Sequence, residues 1–459
     1  MPTRTVDGVR RSSLRRTIAA LQESIATELW PLPAFSVIAA VALGIALPAL
    51  DRVIDHTLPG TFAAFLFAGG VDSARAVLSA ISGSLITATS LTFSLTVVAL
   101  QLASSQASPR VLRTFAKDRA VQGTLAIFVG TFAYAITVLR SVQDATVSTD
   151  PLVPRIAVTL ASLLTLASVL ALTLFLGHLA RQLRVETVMQ QVHRETDRTI
   201  EFVRSTSTEG AMSVPEGIRP ASVHFALARG SGFVRGVDRA RLLELAVRHD
   251  LVIEEESPAG HHVVEATPIA RWWPRDVLSH PTDEDIHARG REVAASFSLA
   301  YERTASQDIG FGIRQLTDIA VRALSPGVND PTTAVHALGH VSAVLGDLAE
   351  LPPQAAALED DDGIIRVLLR THNFGDLLRT ALEQPRRYGI SDPDVAERML
   401  QLIREVAFRA RRADDRAALR SELALLEDSV ASADYCPAER QLFRALTERS
   451  RAALDGTWQ

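Results

Sequence analysis

One stretch of the chain, between residues 308 and 330, combines carboxylates, arginine and an amide at spacings that could form a site. Arg314 and Asp318 are four residues apart, so on a helix they lie on one face and can pair. An arginine that converges with carboxylates and an amide can bind an anion or a metal ion. The stretch therefore predicts a polar site with five contributing residues: Asp308, Arg314, Asp318, Asn329 and Asp330.

The same stretch has the features of a corner between two helices. Ser325-Pro326-Gly327 is predicted to end one helix, because proline blocks its continuation and glycine favours a turn. Asp330 and Pro331 suit the N-cap and the first position of the next helix. The residue types favour this structural interpretation, and a small binding site is the alternative.

Other residues that carry chemistry are sparse. His336 and His340 are one helical turn apart and could hold one metal ion together, but no further ligand is identifiable, so we interpret them as ordinary helix-face histidines. The chain has a single cysteine, Cys436, and a single lysine, Lys117. It has no P-loop, HExxH, GxSxG or dinucleotide-binding fingerprint. We therefore predict no metal, no cofactor and no enzymatic activity.

The elements that position these residues begin with a membrane region. Hydrophobic residues make up 47% of the chain and are concentrated in its first two-fifths. Four stretches without internal acidic or basic residues meet or approach the roughly 20 residues that cross a bilayer as a helix. They are Pro33–Leu50, Ala76–Ala103, Ala120–Leu139 and Ile156–Leu179. A shorter apolar stretch, residues 62–70, is predicted to lie at the interface or to dip in from outside.

Basic residues alternate between the ends of these spans. The amino-terminal tail (1–30), the loop after the second span and the segment after the fourth are rich in arginine. The alternate loops mix arginine with aspartate. Loops that carry an excess of Lys and Arg face the cytoplasm. Both termini are therefore predicted to be cytoplasmic.

The second span is rich in serine and threonine. At 100° per residue its small and polar residues form one stripe, opposite a face that carries Ile81 and Leu85. Two interpretations stay open: packing between helices, since small residues let backbones approach, or the lining of a water-filled pore. The stripe comprises Ser79, Gly83, Thr87, Ser90, Ser94, Gln101 and Ser105.

A weaker stripe in the third span is predicted to pack on the second; it comprises Gly123, Gly130, Tyr134 and Thr137. No span carries Asp, Glu, Lys or Arg in its interior, and ion-coupled pumps usually keep an ionisable group at membrane depth. A passive pore, a sensor or a structural protein is therefore favoured over an active transporter.

The region after the membrane is predicted to have three parts. Residues 181–220 form a helical extension and a linker rich in Ser, Thr, Gly and Pro. Residues 221–280 alternate like short strands around one helix, which predicts a small mixed α/β or β-sandwich module. Residues 281–459 have the pattern of consecutive helices, including Asp283–Ser306 and Ile364–Leu382. The predicted fold class is an α-helical membrane protein with four transmembrane helices, a cytoplasmic α+β module and a helical bundle.

Two longer motifs carry a resemblance to a known family. One comprises residues 89–94 (TSLTFS), 99–106 (ALQLASSQ) and 108–112 (SPRVL); the other comprises residues 302–304 (ERT), 307–320 (QDIGFGIRQLTDIA) and 322–334 (RALSPGVNDPTTA). With these motifs the chain resembles DUF2254, a family of predicted bacterial membrane proteins, over nearly its whole length. The resemblance implies a location in the bacterial inner membrane. It implies no reaction and assigns no functional residue.

Two hypotheses for function follow. The first is an oligomeric channel or pore that is lined by the second span and modulated by the cytoplasmic region. The second is a membrane-anchored sensor or scaffold whose cytoplasmic bundle binds a partner or a small ligand. The formal net charge of −5 argues against nucleic acid as a partner. The predicted partners are the lipid bilayer, further copies of the chain in a homo-oligomer, and a small ion or solute.

The arrangement of basic loops generates a testable topology. Reporter fusions at Gln106 and Gln459 are expected to give a cytoplasmic signal, and a fusion at Asp150 a periplasmic one, because arginine-rich loops stay inside. Paired alkaline phosphatase and fluorescent protein fusions at the three positions provide the measurement. A periplasmic signal from Gln459 would contradict the proposed orientation.

Overall fold

The computed structural model divides the chain into two compact units, residues 1–187 and 188–459. The described residues are 30–54, 66–106, 118–142, 153–182, 184–206, 214–215, 217–220, 222–276, 281–352, 355–370 and 373–458, with the side chains of 54, 103–106 and 206 left out. The predicted basic tail, most of the predicted linker and part of the apolar stretch 62–70 lie outside these ranges.

The first unit contains four long helices, each of which includes one predicted span. They are α1 (Pro31–Ile54), α2 (Val71–Gln106), α3 (Arg119–Leu139) and α4 (Arg155–Gln182). All four are long and apolar enough to cross a bilayer. The prediction of four transmembrane helices is thereby confirmed, and each helix extends past the predicted stretch by up to five residues at an end.

Helix α3 is the most buried of the four and packs against each of the others. Its small residues bring it close to α1: a Cβ added at Gly130 would stand 2.2 Å from the Ser36 hydroxyl oxygen, and one at Gly44 would stand 2.8 Å from Thr137 Cβ. Small residues allow such close backbone approach between membrane helices. The prediction that the third-span stripe packs on the second span is therefore wrong for Gly130 and Thr137, which face α1.

The end of α1 is tied to the start of α4 by a buried carboxylate. Asp51 is 4% exposed and accepts hydrogen bonds from the backbone N–H groups of Ile156 and Ala157, both at 3.1 Å. These amides belong to the first turn of α4, where a helix has no internal partners for them. The Tyr134 hydroxyl donates to the Ala157 carbonyl oxygen at 3.0 Å. One end of α4 is thus fixed by side chains of both α1 and α3.

The second unit combines helices with two small sheets. Its strands are β1 (His224–Leu227), β2 (Gly232–Val237), β3 (Leu251–Glu255), β4 (His262–Val263), β5 (Pro268–Pro274), β6 (Phe297–Ala300), β7 (Ala357–Glu359) and β8 (Ile365–Leu368). Its helices are α5 (Val185–Thr206, within this unit from Val188), α6 (Arg239–Arg248), α7 (Asp283–Ala294), α8 (Ile309–Ala323), α9 (Pro331–Ala349), α10 (Phe374–Gly389), α11 (Pro393–Arg409), α12 (Ala413–Ser432) and α13 (Pro437–Leu454).

The strands form a five-stranded sheet in the order β1-β5-β3-β8-β7 and a three-stranded sheet in the order β4-β2-β6. Neighbours are antiparallel except β3 and β8, which run parallel with Ile253 opposite Val367. The fully buried Trp272 of β5 lies in the core that the strands share with α6 and α7. Because β8 pairs with β3, the residues just before α10 are held next to the sheet.

Two predicted helices are wrong in part. The helix predicted over Asp283–Ser306 ends at Ala294 and is followed by β6, and the one predicted over Ile364–Leu382 begins as β8. Short apolar runs of about four residues do not distinguish strand from helix by their period, and pairing with a distant strand decides. The α+β module consequently extends beyond the predicted 221–280 into the region 281–459, which is otherwise a helical bundle.

In the bundle, α9 packs between α8 and α11, α10 packs on α8 and α12, and α11 packs on α13. Ala337, Leu338 and Val341 of α9 are fully buried. The bundle and the sheets together surround the amino-terminal turns of α8 and α10.

Candidate functional site

The start of α8 is organised by one buried carboxylate. Asp308 is 1% exposed, and its Oδ1 accepts from the backbone N–H of Phe311 at 3.1 Å, so it caps the helix. Arg303 donates to both carboxylate oxygens, from Nε at 2.6 Å and from Nη2 at 3.1 Å. The Arg303 guanidinium also lies 5.8 Å from the centre of the Phe311 ring. Asp308 thus fixes both the helix start and the orientation of Arg303.

Two glycines make room for this arrangement. Gly260 has a φ of +88°, which favours glycine, and a Cβ there would stand 2.0 Å from Asp308 Oδ2. A Cβ at Gly310 would stand 3.2 Å from Leu377 Cδ2 and 3.3 Å from Arg303 Nη2. The 257–261 turn and the first turn of α8 therefore approach Asp308 and Arg303 with backbone rather than side chains.

A cavity of about 280 Å³ opens beside this pair. Its lining is dominated by basic and polar side chains from five separate segments: Pro258, Gly260, His261, Arg303, Gly310, Arg314, Arg370, Asn373, Asp376, Leu377 and Thr380. We name it the arginine pocket, after its three arginines. Such a concave site with convergent cations is suited to binding an anion.

The comparisons with known proteins place the pocket within a family. The profile of a family described as "Predicted membrane protein (DUF2254)" matches residues 26–405. The chain belongs to this family. Uncharacterised proteins of Mycobacterium bovis and Mycobacterium tuberculosis are 32% identical to it over 420 residues, which cover 91% of this chain and 79% of theirs. No solved structure matches. The resemblance in the two motifs is confirmed, and every residue of the arginine pocket lies in the range that matches DUF2254.

The three arginines of the pocket differ in their surroundings. Arg303 is held by Asp308, and Arg370 donates to the backbone carbonyl oxygen of Glu256 at 3.0 Å. Arg314 is half-buried and, among the residues that the structure describes, has neither an ion-pair nor a hydrogen-bond partner. Arginine stays protonated in proteins. Arg314 therefore places an uncompensated positive charge at the wall of the cavity.

The five residues of the predicted polar cluster do not converge. Asp308 and Arg314 belong to the pocket region, but Asp308 precedes α8 and Asp330 follows it, at opposite ends of a helix about 22 Å long at about 1.5 Å per residue. Asp318 lies on α8 one turn beyond Arg314 and does not line the pocket. Asn329 lies with Asp330 at the far end. The prediction is therefore corrected: two of its members belong to this site and three lie away from it.

The far end is a helix corner, as one of the two interpretations predicted. Asp330 accepts from the Thr333 backbone N–H at 3.1 Å and from its hydroxyl at 2.5 Å, and so caps α9. Asn329 has a φ of +50° and donates from its backbone N–H to the Ser325 carbonyl oxygen at 2.9 Å. The left-handed residue of the turn is thus Asn329, because asparagine tolerates this conformation.

One histidine of the predicted pair, His340, contacts a histidine of another helix. His340 Nδ1 lies 3.3 Å from Nδ1 of His193 on α5, and burial lowers the pKa of His340. His336 is exposed. Within the described ranges no group of three or more His, Cys, Asp or Glu side chains is arranged to hold a metal ion.

The serine and threonine stripe of α2 points away from the rest of its unit. Its described members, Ser79, Gly83, Thr87, Ser90, Ser94 and Gln101, are all exposed, and the side chain of Ser105 is outside the description. The opposite face carries the buried Leu78, Ile81 and Leu85. The stripe therefore does not pack against another described helix of the same chain. Packing between subunits, contact with lipid and pore lining remain.

Sequence reasoning missed most of the polar residues that line the pocket: His261, Arg303, Arg370, Asn373, Asp376 and Thr380. Arg303 lies in the second motif, where its spacing of five residues from Asp308 was the available signal. Arg370 and Asn373 follow β8, so their place depends on the parallel pairing of β8 with β3. That pairing joins segments more than 100 residues apart, and no local pattern indicates it.

The corner at Asp330 can be tested by substitution. Asp330→Asn is expected to leave the free energy of unfolding nearly unchanged, and Asp330→Ala to lower it by about 0.5–2 kcal/mol, because asparagine caps a helix and alanine does not. The Thr333 hydrogen bonds hold the pKa of Asp330 below its ordinary value of about 3.9. The carboxylate's contribution is therefore present at neutral pH and is lost as the pH falls through the lowered pKa.

Unfolding of the purified protein at pH 7 and at pH 3 measures both effects. The difference between wild type and Asp330→Ala is expected to shrink in acid. A loss of a growth phenotype in Asp330→Asn, with unchanged stability, would instead mark Asp330 as a charged site residue.

Proposed function

We propose that this DUF2254 protein is a non-enzymatic, membrane-anchored sensor of the bacterial inner membrane, with both termini in the cytoplasm. In this proposal the carboxy-terminal unit binds a small anion in the arginine pocket. The observation that carries it is Arg314, whose half-buried guanidinium faces the cavity without a counter-charge among the described residues. A partly buried guanidinium is stabilised by a partner of opposite charge, and a bound anion supplies one.

Helix α5 contacts the pocket from behind at two places. The Thr199 hydroxyl donates to the Ala305 carbonyl oxygen at 2.8 Å, in the loop between Arg303 and Asp308. Thr196 packs on Gly312 of α8 so closely that a Cβ at Gly312 would stand 1.8 Å from the Thr196 hydroxyl oxygen. Both contacts are buried, since Thr196 and Thr199 are 2% and 6% exposed.

These contacts supply a route for a signal. Gly310 and Arg314 of α8 line the pocket, and Gly312 lies between them in the sequence. An anion that draws Arg314 and the loop at Ala305 together changes the surface on which α5 rests. The chain continues from the end of α4 at Gln182 into α5 at Val185. A ligand that favours one packing of α5 thereby biases the segment that follows the fourth span.

Hydrogen exchange on the full-length protein in detergent tests this proposal. Sulfate, inorganic phosphate and succinate serve as anionic probes. At least one of them is expected to slow amide exchange in residues 303–314 and 373–380 and also in α5. In Thr199→Val, which removes the hydrogen bond to Ala305 with little change in shape, the pocket segments are expected to stay protected while the effect on α5 is lost.

Ser205→Ala is the matched control, because Ser205 lies on α5 and is exposed. It is expected to behave as the wild type does. If no probe protects the pocket segments, the ligand-binding proposal is overturned. Protection of the pocket with no change in α5 of the wild type would leave a binding protein and remove the sensor.

A second candidate function, an oligomeric pore, is favoured by the outward stripe of α2. All six described members are exposed while Leu78, Ile81 and Leu85 on the opposite face are buried within the unit. One helix cannot enclose water, so a pore requires several copies with this face turned to a common axis. The Thr87 hydroxyl bonds to the Gly83 carbonyl oxygen of its own helix at 3.1 Å, which leaves its oxygen able to accept from water.

Cysteine accessibility distinguishes this pore from a stripe that faces lipid. The background is Cys436→Ser, which keeps a residue suited to the N-cap of α13. Cysteines at Ser90 and Ser94 are expected to react with small water-soluble thiol reagents in intact membranes. Cysteines at Leu91 and Leu102 are the controls, because both side chains are exposed in the single chain but point about 100° or more away from Ser90 around the helix. Equal protection at all four positions, or a monomer in lipid, would rule the pore out.

A further inference from the structure

We propose that the ligand of the arginine pocket is a small molecule that carries a phosphoryl group as a dianion. The inference rests on the proposed anion-binding function and narrows it to one chemical class. Three independent features of the pocket point to this class: its charge, the direction of its hydrogen-bond donors and its size.

The charge of the pocket exceeds that of one carboxylate. Arg303 is neutralised by Asp308, and Asp376 at the rim is paired with Arg379. Glu256 lies 2.6 Å from Arg271 and 3.6 Å from Arg370, so it is shared between two arginines. What remains is the full charge of Arg314 and part of the charge of Arg370. A phosphomonoester, which carries about −1.5 to −2 at pH 7, matches this excess better than a single carboxylate does.

The donors come from several directions. Arg314 projects from α8, Arg370 from the end of β8, and Arg303 from the loop before α8. The first turn of α8 at Gly310 and the N-cap of α10 at Asn373 also line the cavity, so two helix amino termini, each with partial positive charge, meet there. A planar carboxylate accepts along two parallel directions, whereas a tetrahedral phosphoryl group has three terminal oxygens that point apart. The distribution of donors favours the tetrahedral group.

The size and lining limit what the phosphoryl group is attached to. At about 280 Å³ the cavity is near the lower end of the range of about 300–1,000 Å³ that is typical of ligand pockets. The imidazole of His261 is the one aromatic ring among the described lining residues, so the described wall has no pair of rings between which a nucleobase would stack. The pocket therefore suits a short phosphorylated metabolite better than a nucleotide.

Calorimetry on the full-length protein in phosphatidylcholine nanodiscs tests the class of ligand. The probes are inorganic phosphate, glycerol 3-phosphate, sulfate, succinate and glycerol. The two phosphates and sulfate are expected to bind, succinate to bind at least tenfold more weakly, and glycerol not to bind. Arg314→Gln is expected to weaken phosphate binding by about 10- to 100-fold, the effect of removing a charged hydrogen-bond partner.

Arg387→Gln is the matched control, because Arg387 is an exposed arginine that pairs with Glu383 on α10 and does not line the cavity. It is expected to leave the affinity unchanged. Arg314→Lys, which keeps the charge, is expected to bind with intermediate affinity and serves if Arg314→Gln unfolds. Nanodiscs that contain phosphatidic acid form a further arm: occupancy by this lipid in competition with glycerol 3-phosphate would identify a headgroup as the source of the phosphoryl group.

The charge of the ligand gives an independent readout. Phosphomonoesters lose their second negative charge below a pKa of about 6, whereas sulfate stays a dianion. The affinity for glycerol 3-phosphate relative to sulfate is therefore expected to fall between pH 7.5 and pH 5.5. Taking the ratio removes the part of the pH effect that is common to both ligands.

Two results would overturn the inference and are distinguishable. Succinate binding as tightly as phosphate, with the same loss in Arg314→Gln, would exclude the phosphoryl class and leave the anion sensor in place. Binding of no anion, or binding that Arg314→Gln does not weaken, would overturn the proposed function as well.

Discussion

The ion pair between Asp308 and Arg303 determines how the segments around the start of α8 are arranged. One carboxylate, almost completely buried, caps α8, holds a guanidinium by both oxygens and fixes how closely the 257–261 turn approaches. Breaking such a buried pair by removing one partner typically costs about 3–5 kcal/mol, because the other charge is left uncompensated. The glycine at 260 follows from it, since a Cβ there would occupy the space of the carboxylate, and a Cβ at 310 would crowd the pair.

Asp308 fixes the position of Arg303, whereas the other two arginines of the pocket are held by fewer contacts. Arg303 cannot leave the carboxylate without a large cost, whereas Arg314 and Arg370 are tied less tightly. The same loop is held from the other side by Thr199 of α5 and by Gln307, whose Oε1 accepts from the Val237 backbone N–H at 3.0 Å. The loop next to the pocket is therefore bonded to both α5 and β2.

The predictions from sequence succeeded where local pattern decides and failed where distant segments decide. The four spans follow from apolar length, and the cap at Asp330 follows from residue type, because both are properties of a few consecutive residues. The local pattern predicts helix for the residues of β6 and β8, whose strand structure depends on partners far away in the chain. The site was predicted only in part for the same reason. Asp308 and Arg314 lie in one motif, but Arg370 is placed at the pocket by the pairing of β8 within the sheet. Asp318, Asn329 and Asp330 are close to these two residues in sequence. They lie away from the pocket because the intervening residues form a straight helix.

Asp51 has a consequence for any fragment of the membrane unit. The first turn of α4 has two amides whose acceptor belongs to α1, a helix about 100 residues earlier in the chain. A fragment that starts after the first span lacks this carboxylate, so the two amides need another acceptor, such as water at the end of the helix. The first span thus supplies a contact that the fourth cannot make for itself.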